Sequence, residues 1–516
     1  MPGVQRQRCQ VFVLLTTIVA SACAPANPSA PATPGAASPE AVASTAAAPS
    51  ASATPRAIAT VGPARWSDCG RGFGCTEIRV PRAYDGSVGG YLNISVIRLA
   101  ASKPAKRIGS LIVNPGGPGA SGVEFVREGA TRFPDALRQR FDIVGFDPRG
   151  VNSSTAVRCI DNLDGLADLD PSPDDAAELE ALVDSARDYA AACARRNDAL
   201  LPYLSTDSVA RDLDAIRQAV GDERLTYLGF SYGTLIGSTY ADLYPDRIRA
   251  MAFDGAIDQS LDLEQFRSAQ GKGFEAALKH FLADCSARTE CTFHENGKSA
   301  KAFDALMASI DRRPLPATLA HDNRLVGPGL ASASVLGALY SKSSWPLLAA
   351  SLALAKGGDG SLMLVIADPF RGRKPNGAYS NLQDAYTANT CLDYAAPTKI
   401  ATFTRWGKDL AAVAPHFAEL VAYNDLACAF WSVPAERTPQ AARGSGAPPI
   451  VVVGSTGDPA TPYDWAVALA DQLESGVLVT RNGEGHTGYL DSTCVSKAVD
   501  AYLLTLKAPR DGLTCD

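Results

Sequence analysis

Histidine is scarce in this 516-residue chain, with five copies at His280, His294, His321, His416 and His486. They do not cluster, and no pair of the twelve cysteines has zinc-ribbon spacing, so a metal site lacks a ligand set and no metal or organic cofactor is expected. Internal repeats, a phosphate-binding glycine loop and long basic runs are all missing. With a formal net charge of −7, nucleic acid is excluded as an expected partner. No long apolar run is present either, because the stretch Val11 to Ala20 is too short to remain as a membrane anchor.

That stretch follows Arg6 and Arg8 and leads into small residues up to Cys23, the layout of a secretory signal over residues 1–22. Ala20-Ser21-Ala22-Cys23 resembles a bacterial lipoprotein signal with Cys23 as the lipid attachment site, although Ala20 stands where leucine is usual. Ordinary cleavage after Ala22 would leave the same N-terminus without lipid. Cysteine parity favours the lipid: losing Cys9 with the signal leaves eleven of twelve, and acylating Cys23 leaves ten that can all pair. Residues 23–60 are rich in Ala, Pro, Ser and Thr, cannot bury a core, and read as a tether through the cell envelope. The expected location is the outer face of the cytoplasmic membrane, anchored or released. The ten remaining cysteines (Cys69, Cys75, Cys159, Cys193, Cys285, Cys291, Cys391, Cys428, Cys494, Cys515) point to disulfides between sequence neighbours.

Against this background one pentapeptide stands out. Gly229-Phe230-Ser231-Tyr232-Gly233 ends an apolar run from Leu225, the form of a nucleophile elbow in which a sharp strand-to-helix turn projects a serine hydroxyl above a sheet. A glycine- and serine-rich chain produces such a pentapeptide by chance, so its surroundings must carry the reading. Upstream, Val209, Leu213, Ile216 and Val220 share a helical face, with Asp207 or Ser208 as cap and Gly221 as stop. Leu225 to Leu228 reads as a buried strand, and Tyr232 to Leu243 as a helix stopped near Pro245.

A hydrolytic serine needs a base and a carboxylate to orient that base. All five histidines follow Ser231, so the acid chooses among them. Ile450 to Gly454 reads as a buried strand followed by Ser455-Thr456-Gly457-Asp458-Pro459, and only His486 lies beyond Asp458. His486 occupies the glycine-flanked stretch Gly483-Glu484-Gly485-His486-Thr487-Gly488, after a strand-like run from Gly476 to Thr480. Asp254, at the end of another strand-like run, is a second candidate acid. An oxyanion hole takes one N–H from the residue after the nucleophile and one from an earlier strand's loop. Tyr232 and Gly117 are the candidates, with Gly116 as substitute, the loop being Asn114-Pro115-Gly116-Gly117-Pro118-Gly119 after the strand Ser110 to Val113. Asp147-Pro148-Arg149-Gly150, after a strand Asp142 to Phe146, reads as a structural turn.

Taken together with Asp458-Pro459-Ala460-Thr461-Pro462 and Gly485-His486-Thr487, these motifs resemble the secreted bacterial tripeptidyl aminopeptidases, relatives of prolyl iminopeptidases, from about Trp66 to the C-terminus. The resemblance implies an α/β-hydrolase fold with a mostly parallel sheet, a Ser231, Asp458 and His486 triad, and hydrolysis of peptides or proteins from a free N-terminus. The domain expectation is a hydrolase core in two parts, 61–258 and 449–516, separated by a mainly helical cap over 259–448. Phe274 to Leu282 and Leu410 to Tyr423 are helical runs within it. An enzyme acting at free N-termini must bind an ammonium group, and Glu264, Glu275, Asp284, Glu290, Glu295 and Asp393 are candidates in that insert. A lipase or esterase with the same machinery, or an envelope binding protein, is the alternative.

Overall fold

The computed structural model describes residues 61–516; the signal segment, the tether and Cys23 lie outside the described residues. Where the chain runs apolar on successive residues, it forms strands buried on both faces, as helix-covered parallel sheets require. Gly109–Asn114 (β4), Phe141–Phe146 (β5) and Leu225–Phe230 (β6) are buried at every position. With Ser67–Asp68 (β1), Phe73–Pro81 (β2), Tyr91–Leu99 (β3), Ile248–Asp254 (β7), Ile450–Gly457 (β10), Gly476–Glu484 (β11) and Leu513–Cys515 (β12), they build a ten-stranded sheet. Its order is β1-β2-β3-β5-β4-β6-β7-β10-β11-β12. β1, β2 and β3 pair antiparallel with one another and β3 with β5; every later pairing is parallel. This is the α/β-hydrolase architecture.

Strand order places the site. After β4 the chain moves to β5 on one side and returns to β6 on the other, which opens a crevice beyond the carboxyl ends of β4 and β6 where ligands bind in open α/β sheets. The loop from Asn114 to Gly119 and the serine turn meet there.

The helix before β6 spans Thr206–Ala219 and ends with Gly221 at φ 82°, as expected, but its start differs. Ser205 is the N-cap and makes no side-chain cap, while Asp207 and Ser208 lie inside the first turn. Thr206 instead binds Asp393 through its amide and hydroxyl, so a tertiary contact does the work assigned to a local cap.

Between β7 and β10 the chain is mainly helical, with a small ribbon of Leu315–Pro316 (β8) and Leu325–Val326 (β9). This insert has its own core, in which Phe274, Leu278 and Phe281 pack with Leu330 and Leu348. The run from Phe274 to Leu282 belongs to the longer helix Leu263–Ala287. The run from Leu410 to Tyr423 is two helices, Ile400–Ala411 and Ala418–Tyr423. Pro415 lies in the break, where its missing N–H and its ring forbid a continuous helix.

Five disulfides join the ten described cysteines, each to the next in sequence: Cys69–Cys75, Cys159–Cys193, Cys285–Cys291, Cys391–Cys428 and Cys494–Cys515. Among the described residues no helix is long and apolar enough to cross a membrane. The Asp147 turn is structural. Asp147 accepts from Ser121 Oγ and Val123 N at the start of the helix Gly122–Gly129, and Arg149 is fully buried against Asp212 at 2.6 Å.

Candidate active site

Ser231 stands between β6 and the helix Tyr232–Leu243 with φ 53° and ψ −125°. A non-glycine residue reaches that region only when its surroundings impose it. Here its N–H donates to the Asp254 carbonyl at 2.9 Å, and the Thr234 hydroxyl donates to its carbonyl at 2.7 Å. The turn brings the serine to the positive end of a twelve-residue helix, where developing negative charge is favoured.

The loop after β4 lies directly on this turn. A Cβ at Gly116 would sit 2.5 Å from the Phe230 carbonyl and 2.8 Å from Ser231 Cβ, so only glycine permits the approach. The amide of Gly116 is already committed to Asn114 Oδ1 at 2.9 Å, which removes it as the substitute oxyanion donor. Gly117, Ser231 and Tyr232 all line one cavity of about 410 Å³.

β10 ends immediately before Asp458, and the chain folds back so that the Asp458 carboxylate accepts from the amides of Ala460 and Thr461, both at 2.9 Å, and from the Thr461 hydroxyl at 3.0 Å. Its oxygens lie 3.0 and 2.9 Å from His486 Nδ1. Asp458 is buried, the His486 side chain is largely covered, and its Nε2 has no hydrogen-bond partner among the described residues. Burial works against the charged imidazole, but the Asp458 carboxylate, with Asp254 behind it, outweighs burial and holds its pKa above the ordinary value. Nδ1 therefore faces a carboxylate while Nε2 is uncommitted among the described residues.

Asp254 has another task. Its carboxylate accepts from the amides of Gly488 at 2.8 and 3.0 Å and Tyr489 at 2.6 Å, which pins the loop just past His486. Burial pushes its pKa up to about 6. The next residue, Gly255, must be small: a Cβ there would lie 2.8 Å from His486 Cε1. Motif reading passed over Tyr340, in the insert. Its carbonyl accepts the His486 N–H at 2.7 Å, and its ring packs edge-on against the imidazole at 5.3 Å between centroids. Backbone contacts of this kind leave no side-chain pattern to read.

Of the six acids considered for an ammonium group, Asp393 alone lines the cavity. Glu275 is taken by His416 and Lys279, Asp284 and Glu290 by Arg288, Glu295 by Lys356, and Glu264 lies 3.7 Å from Arg405.

Comparison with known proteins decides the family. Residues 109–302 match the alpha/beta hydrolase fold family, and residues 414–515 match the family described as TAP-like protein. Serine protease Hip1 of Mycobacterium tuberculosis is 34% identical over 487 residues, covering 88% of this chain and 91% of that protein. The chain belongs to the TAP-like α/β-hydrolases. Carboxylesterase B of the same organism is 36% identical over 458 residues, covering 86% of each chain, and the tripeptidyl aminopeptidase of Streptomyces lividans is 32% identical over 470 residues, covering 87% of this chain and 86% of its own. This TAP-like protein is a serine hydrolase.

Proposed function

We propose that this TAP-like hydrolase is an exported peptidase that releases short peptides, tripeptides foremost, from free N-termini. The observation that supports the catalytic assignment is His486, held through Nδ1 by Asp458 with a buried and uncommitted Nε2. Ser231 Oγ attacks the scissile carbonyl carbon as His486 Nε2 takes its proton, and Asp458 fixes the ring and stabilises the imidazolium. The amides of Gly117 and Tyr232 receive the oxyanion. The tetrahedral intermediate collapses, the C–N bond breaks, and His486 returns the proton to the leaving amine. Water, deprotonated by the same imidazole, then releases the acyl group from Ser231.

Residues 259–448 act as a cap, since much of the cavity wall comes from them. Asp393 receives the substrate ammonium. Its pKa is pushed up to about 6 by burial, against the pull of Arg437 and Thr206, so a cation beside it would be welcome. Cys23 is the lipid attachment site, tethered by residues 23–60 to the outer face of the membrane; peptide mapping of mature protein with an unmodified Cys23 would remove that anchor.

Esterase activity is the second reading, favoured by the relative named carboxylesterase B and by apolar cavity residues such as Leu235, Phe266 and Phe370. Profiling of purified enzyme on free and N-acetylated peptides beside short acyl esters separates the two. The peptidase reading expects a strong preference for free N-termini; equal cleavage of both peptide forms, or preference for esters, rejects it.

A further inference from the structure

Two guanidinium groups line the cavity, Arg267 and Arg371. Arg267 is neutralised: Asp425 accepts from its Nε and Nη2, and Tyr386 and Gln270 accept two further hydrogens. Arg371, just past the helix Ser361–Phe370, makes no side-chain hydrogen bond or ion pair among the described residues, and its Nε is buried without a partner.

Several acids of the neighbouring segments are taken by other arginines. Asp368 and Asp322 pair with Arg324, at 2.6 and 2.8 Å, and Asp164 pairs with Arg373 at 3.0 Å. Tyr379 donates its hydroxyl to Asp164. Asp168 acts on Arg371 only from beyond ion-pair distance. Burial lowers the pKa of the guanidinium, yet an arginine in a protein keeps its proton at neutral pH. A positive charge thus lines the cavity with no carboxylate in ion-pair contact, Asp168 acting on it only from further off, so its hydrogens are uncommitted and a ligand carboxylate could take them. The planar fork of arginine matches a carboxylate, which it holds through two charge-assisted hydrogen bonds.

We propose that Arg371 is a carboxylate-binding subsite of the cavity, receiving an anionic group of the peptide substrate. The carboxylate comes from an aspartate or glutamate side chain or from the C-terminus of a short peptide. This rests on the peptidase reading, and it adds a second charge to the cavity wall: Asp393 for the ammonium, Arg371 for the carboxylate. Such a wall fits a dipolar peptide better than a neutral acyl chain.

The test measures kcat/KM on free-N-terminus peptides in two matched pairs, C-terminal acid against amide and internal Glu against Gln. At least one pair is expected to favour the carboxylate by about tenfold or more. The pair that responds identifies the source. In Arg371→Gln the ratio should fall close to one, while Arg371→Lys, which keeps a point charge, should retain part of it. Ratios near one in both pairs for the native enzyme, or a preference that persists in Arg371→Gln, would overturn the subsite. Calorimetric binding of the same peptides to the Ser231→Ala protein gives a readout independent of turnover and of the folding of Arg371→Gln. Cleavage without carboxylate preference sinks the subsite and spares the peptidase reading; tighter binding of carboxylate peptides that the native enzyme never cleaves does the reverse. If no peptide is bound or cleaved, both fall.

Discussion

The carboxyl edge of the sheet and the helical insert meet at one cavity but are built on different terms. At the edge, Ser231, Asp458 and the loop bearing His486 follow the ends of β6, β10 and β11, fixed by buried strands and backbone hydrogen bonds. The insert contributes Arg267, Tyr340, Arg371 and Asp393 from separate helices or from the turns that follow them. Chemistry placed on rigid strand ends tolerates no displacement, whereas a wall made of many helices can change its charges one at a time. Substitutions at the edge should therefore reduce turnover, and those in the insert should change which substrates are chosen.

The largest effect is expected at the nucleophile: Ser231→Ala should lower kcat by roughly 10⁴- to 10⁶-fold while circular dichroism and melting stay near native. Near-normal turnover would remove the edge from the chemistry. Asp458→Asn should cost on the order of 10⁴ in kcat, because an amide N–H donor replaces one of the two oxygens facing Nδ1, disfavouring the tautomer the site needs, and the charge that stabilises imidazolium is lost. In the insert, N-acetylation of a tripeptidyl substrate should cost roughly a hundredfold in kcat/KM, and Asp393→Asn should shrink that penalty. An unchanged penalty in the variant would move ammonium recognition elsewhere.

Smaller effects sharpen the boundary between the regions. Asp254→Asn should lower kcat by roughly ten- to a hundredfold by loosening the Gly488 and Tyr489 amides, and leave the free-versus-acetylated ratio unchanged. The smallest effect is on pH. His486 works as a base only when neutral, and its pKa is raised, so kcat/KM should fall as pH drops through a midpoint above about 6.5. Removing the Asp254 charge takes away part of what favours imidazolium, so the same limb should shift to lower pH in Asp254→Asn. A shift upward would contradict the electrostatic account of the site.

Sequence was a good guide to geometry where the pattern is local. Alternation of buried strands with glycine-bearing turns pointed to Ser231, Asp458 and His486, and the structure places Asp458 and His486 in contact across 28 residues of sequence. It was a poor guide where a partner is distant or is backbone. Asp254 serves amides 234 and 235 residues away, and His486 rests on the carbonyl of Tyr340, neither of which leaves a motif. The cap expected at Asp207 or Ser208 failed because Asp393, far along the chain, holds Thr206. Pro415, by contrast, was visible, and the single run from Leu410 to Tyr423 should have been divided there. The uncommitted guanidinium of Arg371 is evident only once the ion pairs of the neighbouring arginines have been traced.

The most direct test of the division between edge and insert is covalent. Native protein treated with a fluorophosphonate and mapped by peptide mass spectrometry should carry one adduct, on Ser231. His486→Ala should slow its formation by orders of magnitude, and Asp393→Asn should leave its rate nearly untouched. An adduct on another residue, or labelling of Ser231 that does not depend on His486, would contradict the assignment of the chemistry to the sheet edge.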